Sequence, residues 1–389
     1  MPRLAPRTAL FDSASAGAWD IAEAAARDRL AGRAVLDLGV GDPDIDTPAP
    51  VQQAAVAAMR AGRTHYAPLA GEPDLREAVA RHAQETLGVE ASPGSVVVCN
   101  GAQGALFAAM ACIAGPGDEV VVPEPAYASY PSTVGSTGAR MVSVALDPAA
   151  GYRCDPALIE AAMTSRTVAV LLNTPGNPTG KVQAGEDVAA LVALCRARGI
   201  WLISDEVYWP FCWETAHVSA GRGGLGDHVV VISSLSKSHA MTGWRIGWAL
   251  APPPLARAMA GIAQAQHFGI NQFAQLAAVT ALADAETPAR IARTLRERRD
   301  ALCAALSDDP RLRFVAPGGG MFLLLDVSET GLDGAGFAAA LYEREAVVSV
   351  PGGAFGASAR GHLRLGFIQP PAQLHEAARR IRRLAAALP

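Results

Sequence analysis

The chain has 389 residues, half of them apolar and 18% charged, with a formal net charge of −4. That length exceeds one compact core and points to two domains with ample material for burial. Interspersed charges with a small negative balance exclude the basic footprint of a nucleic-acid binder.

In chain order, the N-terminal stretch MPRLAPRTALFDS lacks the apolar core of a secretory signal. No run of about eighteen apolar residues follows to cross a membrane. Six scattered cysteines without a C-x-x-C pair read as reduced thiols, so a cytoplasmic protein is expected. GVGDPD (39–44) breaks the G-x-G-x-x-G turn of dinucleotide binders with a proline, and no basic helix-turn-helix pattern suggests a DNA-binding regulator. VVVCN (96–100) leads into a helical pattern from Ala102 to Ile113, and GAQGA (101–105) opens it with small residues. Free backbone N–H groups at such a helix start suit an anion. EVVVPEP (119–125), VAVLLN (168–173), WLISDE (201–206) and VVVISS (229–234) are apolar on both faces, as strands of a helix-covered parallel sheet must be. A helix over 186–199 falls among them, and an arginine-rich helix, roughly 282–307, joins this unit to the next. GGMFLLLDV (319–327), VVSVPGG (347–353) and HLRLGF (362–367) read as strands of a smaller α+β unit. An amphipathic helix with Leu374, Ala377, Ala378, Ile381, Leu384 and Leu388 on one face closes it.

Ligands of an open parallel sheet bind beyond the carboxyl ends of its strands, where the polar residues of interest cluster. Lys237 follows the last apolar strand. An apolar, positively charged setting lowers a lysine's pKa and frees its amine for imine chemistry. Ser234, three residues before it, and Arg245, eight after, suit a phosphate held beside that imine. Read alone, the stretch also fits a surface lysine in a Ser/Gly-rich turn. Asp205 ends a buried strand, a costly place for a carboxylate unless it meets a cation such as a protonated pyridine nitrogen; a helix cap or an arginine partner would serve as well. NTPGNPTG (173–180) turns the Asn173 and Asn177 amides toward the same edge, or is turn chemistry alone. Together these features point to pyridoxal 5'-phosphate.

Eight motifs in order resemble those of fold-type I pyridoxal-phosphate enzymes, specifically the class I/II aminotransferases, from about Trp19 to Leu388. They are GVGDPD, THYAPLAG (64–71), GAQGA, PEPAYASY (123–130), NTPGNPTG, SDEVY (204–208), SLSK with Arg245, and HLRLGF. The resemblance implies an α/β large domain over 48–285, with a mainly parallel seven-stranded sheet sandwiched by helices. It implies a small α+β domain over 286–389, to which an arm over 1–47 contributes, and a homodimer with shared active sites. Lys237 would carry the cofactor as an imine and, when freed, move the proton at the substrate's Cα. Asp205 would keep the pyridine nitrogen protonated, Tyr208 and Asn177 would bond the ring's phenolic oxygen, and Tyr127 would stack on the ring. Gly101, Ala102, Gln103, Ser234, Ser236 and Arg245 would hold the phosphate, with Tyr66 reaching the phosphate of the neighbouring subunit. Arg364 would clamp the α-carboxylate, helped by Gly41 and Asn173. Glu124–Pro125 and Asn177–Pro178 would be cis.

AWDI (18–21), SLSKSHAMTGWR (234–245), PGGGMFLLLD (317–326) and GHLRLG (361–366) are most similar to the arginine–pyruvate transaminase branch of the family. The resemblance therefore makes arginine the expected donor and pyruvate the expected acceptor. Trp19, Ile21, Trp209 and Trp213 are candidate pocket walls, and Asp20 or Glu214 a candidate acid for a guanidinium. A broad aspartate/aromatic-type aminotransferase, or a carbon–sulfur β-lyase on the same fold, would use the same lysine and aspartate.

Overall fold

The computed structural model describes residues 3–5, 8–10 and 20–389; Trp19 lies outside the described residues. A short strand β1 (Leu36–Asp37) precedes seven that form the large sheet. These are β2 (Val96–Asn100), β3 (Glu119–Glu124), β4 (Arg140–Ala145), β5 (Thr167–Asn173), β6 (Trp201–Asp205), β7 (Val229–Ser234) and β8 (Ile246–Leu250). Their order is β2-β8-β7-β6-β5-β3-β4. All neighbours run parallel except β8, which is antiparallel to both β2 and β7.

The apolar runs explain this sheet. In β5, Val170 and Leu172 enter one core while Ala169 and Leu171 enter another on the opposite face. In β2, Val96 and Val98 likewise oppose Val97 and Cys99. Because successive side chains alternate across a strand, only a continuous apolar run fills both layers. Helices Pro73–Leu87 and Gly185–Arg198 contribute to the first core, and Gly101–Ile113 and Pro253–Gln266 to the second.

The C-terminal unit has its own core. Strands β9 (Arg313–Phe314), β10 (Phe322–Asp326), β11 (Val347–Val348), β12 (Val350–Pro351) and β13 (His362–Gly366) follow in the chain. The order β12-β13-β10-β9 makes an antiparallel sheet, while β11 pairs in parallel with β1 of the N-terminal segment. The expected strand over 347–353 is thus two short ones in different sheets. Helix Glu286–Leu306 buries Ile291, Leu295, Leu302 and Leu306 here, and helix Pro371–Ala386 buries Leu374, Ala377, Ala378, Ile381 and Leu384. Leu388 lies past that helix's end, and Ala385 completes its apolar face instead. Cis peptide bonds occur at Glu124–Pro125 and Asn177–Pro178, and also at Thr174–Pro175.

Candidate active site

Strand β7 ends in Ser234, whose hydroxyl accepts the Ser236 N–H at 3.4 Å and caps the one-turn helix Leu235–Ser238. This cap turns Lys237 into a cleft beyond the carboxyl ends of β5, β6 and β7. Ala102, Gln103, Tyr127, Asn173, Asn177, Asp205, Tyr208, Ser234, Ser236 and Arg245 line the same cleft. Residues expected from five separate motifs therefore meet in one place. The Lys237 ammonium donates to the Gly41 carbonyl at 2.5 Å. Burial lowers its pKa to about 8, with Arg364 and Arg245 pushing the same way and Asp42 opposing.

At the other end, Arg245 adopts φ +57° just before β8 and donates to the carbonyls of Thr242 and Asn100. Its guanidinium crowds Gly101, where a Cβ would stand 2.3 Å from Nη2. Gly247 backs the same turn, since a Cβ there would lie 2.4 Å from the Gly101 carbonyl carbon. Two glycines thus let a helix N-terminus, a strand and an arginine converge, an arrangement suited to a phosphate. The exposed Gln103 side chain is committed elsewhere: it donates to Thr133 and accepts from Ser129, each at 2.8 Å.

Asp205 lies between these ends and is buried. Its Oδ2 accepts the Tyr130 hydroxyl at 2.7 Å, and its Oδ1 accepts the Val207 N–H at 3.3 Å. Burial lifts its pKa to about 6, against the pull of those two donors. The Asn177 amide donates to the Tyr208 hydroxyl at 3.4 Å, and burial pushes that phenol well up.

Arg364 on β13 is 2% exposed. It donates to the Gly39 carbonyl at 2.5 Å and the Asn177 side-chain oxygen at 3.3 Å, while its Nε has no partner. The guanidinium lies 4.1 Å from the Phe322 ring centroid and 5.0 Å from that of Phe355. Burial lowers its pKa to about 10, so it stays charged at neutral pH. A buried cation without an anion is a strong demand for one. Asn173, by contrast, uses both ends of its amide on the chain, donating to the Asp205 carbonyl at 2.9 Å and accepting the Asn177 N–H at 2.7 Å.

The comparisons with known proteins agree on one family. The family model "Aminotransferase class I and II" matches residues 33–381. The chain belongs to the class I and II aminotransferases. It is 43% identical to an arginine–pyruvate transaminase of Pseudomonas aeruginosa, covering 96% of this chain and 95% of that one. It is 36% identical to an aspartate/prephenate aminotransferase of Thermus thermophilus over 92% of each. Among solved structures, the Thermus thermophilus aspartate aminotransferase with maleate superposes with a TM-score of 0.93. It shares 35% identity and covers 99% of this chain and 100% of its own.

This aminotransferase uses pyridoxal phosphate, and its cleft fits that molecule at three points. Asp205 is a buried carboxylate with no ion-pair partner among the described residues, as a ring-nitrogen cation requires. The close approach of Gly101, Gly247 and Arg245 suits a phosphate. The chain has just two lysines, Lys181 and Lys237, and Lys237 is the one in the cleft.

Other expected residues of the aminotransferase lie elsewhere. Tyr66 is 81% exposed and packs edge-on against Phe268, away from this subunit's cleft. Trp209 packs against His82 in a separate cavity. Trp213 packs on Phe367 and under the Arg299 guanidinium, and Glu214 is ion-paired with that same arginine. Ile21 rests on the C-terminal core and Asp20 is exposed. None of these lines the cleft, so the guanidinium-facing acid expected at Glu214 is instead a structural ion pair. Sequence reasoning also missed Thr242, which lines the cleft and donates to Asp42 at 2.8 Å. It missed Tyr130 as the partner of Asp205, although PEPAYASY contained it.

Proposed function

We propose that this aminotransferase transfers the α-amino group of arginine to pyruvate, with Lys237 as the catalytic residue. What carries the substrate assignment is the 43% identity, over nearly the whole length of both chains, with an arginine–pyruvate transaminase. Two features of the site support it. The cations of the cleft, Lys237 and Arg245, are accounted for by amine and phosphate chemistry, leaving none for a second substrate carboxylate on this subunit. Asp42, whose charge bears on Lys237, places an acid near the reacting amine.

The cofactor supplies a ring that accepts the electron pair left at Cα when its proton departs. The rest falls to the chain. Arg364 holds the α-carboxylate through parallel N–H donors and so sets which Cα bond faces the ring. Phe322 and Phe355 keep water from that guanidinium. Lys237, with its pKa lowered to about 8 by burial, would take the Cα proton and deliver it to the cofactor's C4′. Asp205 would hold the proton on the ring nitrogen, Tyr208 and Asn177 would bond the ring oxygen, and Tyr127 would stack on the ring. Ser234, Ser236, Arg245 and the N–H groups of Gly101, Ala102 and Gln103 hold the phosphate. Asn173 shapes the wall, Gly41 receives the Lys237 ammonium, and both bound the carboxylate's space.

A homodimer completes the site, because Tyr66 is exposed here and would reach the partner's phosphate. The test is a donor screen. Alanine formed from pyruvate is measured with each common amino acid in turn. The highest kcat/KM with arginine supports the assignment; a higher value with aspartate or an aromatic donor replaces it, and pyruvate released from a cysteine-type substrate indicates a lyase.

A further inference from the structure

Asp205 has an unusual environment for a buried carboxylate. The titratable groups around it are Tyr127, Tyr130 and Tyr208, together with Glu206, its neighbour in the chain. Glu206 is fully buried and already occupied by the Ser204 hydroxyl, the Ala220 N–H and His217. No cation pairs with Asp205 among the described residues. Among the described residues, its only side-chain donor is the hydroxyl of Tyr130, itself 1% exposed.

The position of Tyr130 is well fixed. It begins the helix Tyr130–Gly135, its N–H bonds the Tyr127 carbonyl at 3.0 Å, and its ring packs edge-on against Tyr127 at 5.6 Å. The Gln103 side chain bridges Thr133 and Ser129, tying this helix to the one that opens at Gly101. Tyr130 is therefore held to the same framework as the phosphate turn.

We propose that Tyr130 is a positioning residue, which holds Asp205 ionised and fixed in place for the cofactor's ring nitrogen by bonding one of its carboxylate oxygens. This rests on the role assigned to Asp205 above. A neutral donor suits the task better than a cation would. An arginine or lysine would ionise the carboxylate but also neutralise it, weakening its hold on the ring-nitrogen proton. A phenol stabilises the anion without cancelling its charge. It also fixes Oδ2 at 2.7 Å, while Oδ1 accepts only the longer Val207 N–H bond at 3.3 Å among the described residues. Burial and Glu206 already push the Asp205 pKa upward, so loss of this one donor moves the carboxyl toward protonation at neutral pH.

The test measures pyridoxal-phosphate affinity of the full chain by fluorescence titration, comparing each variant with wild type at pH 7 and pH 9. Tyr130→Phe is expected to weaken binding about tenfold at pH 7 and less than about threefold at pH 9, where Asp205 is ionised in both proteins. In an Asp205→Asn background, Tyr130→Phe should change affinity by less than about twofold, because coupled residues fail to add. Equal losses at both pH values, or the same loss in the Asn background, would overturn the proposal and leave a packing role. Should the Phe variant not fold, Tyr130→His restores a ring donor and is expected within about threefold of wild type at pH 7; a larger loss counts against the proposal. If Asp205→Asn alone leaves both affinity and turnover unchanged, it is the reading of Asp205 that fails.

Discussion

Burial disfavours the charged forms of Asp205, Lys237 and Arg364 alike. Asp205 shows this most directly, and its consequence is a stability cost. Its pKa is about 6 in the folded chain against about 3.9 when unfolded. Between these values the native state binds more protons, so the apoprotein loses stability as pH rises from about 4 to about 6. Above that range the deficit is full, on the order of 2–3 kcal/mol. Asp205→Asn is therefore expected to stabilise the apoprotein by about that amount at pH 7.5 and by little at pH 4, as urea melts at the two pH values would show. Arg364 poses the complementary case, a buried cation waiting for a carboxylate. Truncating one partner of such a pair costs about 2–5 kcal/mol. Arg364→Ala should therefore weaken amino-acid binding by at least about thirtyfold, measured from the donor dependence of the half-reaction. Cofactor affinity should change less than about threefold, and equal losses of both would count against the clamp.

Among the elements, the turn joining Arg245 to β8 is the tightest part of the scaffold. A Cβ on Gly247 meets backbone on two sides, the Gly101 carbonyl carbon at 2.4 Å and the Ala102 nitrogen at 2.5 Å. Gly247→Ala must push the phosphate turn outward, and overpacking of this kind costs about 1–3 kcal/mol. Reduced affinity for both inorganic phosphate and the cofactor is the expected result; unchanged affinity would mean that the turn does not form the phosphate site. This turn also marks the limit of what the sequence disclosed. The parallel strands β2, β3, β5, β6 and β7 were legible because burial on both faces demands unbroken apolar runs. The edge strand β4 was not, since RMVSVA has no fully buried residue. Strand β8 was missed because IGWAL carries an internal glycine, which usually weakens a strand. Site residues at strand ends were legible because the sheet collects them on one edge. The side-chain pocket was not, because Trp209, Trp213 and Glu214 fall in a loop whose facing no periodicity sets. Nor could a linear reading join Tyr130 to Asp205, 75 positions apart.

At the scale of the molecule, one core lies beneath the large sheet and another around helix Glu286–Leu306, and the second also takes in Val207, Tyr208 and Phe211. The loop between β1 and the helix Ala49–Arg60 connects them through the site. Its Gly39 carbonyl receives Arg364, its Gly41 carbonyl receives Lys237, and its Asp44 pairs with Arg298. Shear between the two units would therefore move the clamp relative to the lysine. No helix among the described residues is long and apolar enough to cross a membrane. Tyr66, Phe268, Val56 and Met59 are exposed apolar side chains that the proposed homodimer would cover. Light scattering should accordingly give the mass of two 40.2 kDa chains; a monomer with full activity would remove Tyr66 from the mechanism. The role proposed for Lys237 is directly testable because the chain has only two lysines. Holoenzyme is reduced with borohydride, which fixes the cofactor to the amine that holds it, and is then digested and mapped by mass spectrometry. The pyridoxyl group is expected on the peptide containing Lys237 and not on Lys181, whereas label on Lys181, or on neither, would overturn the assignment of Lys237.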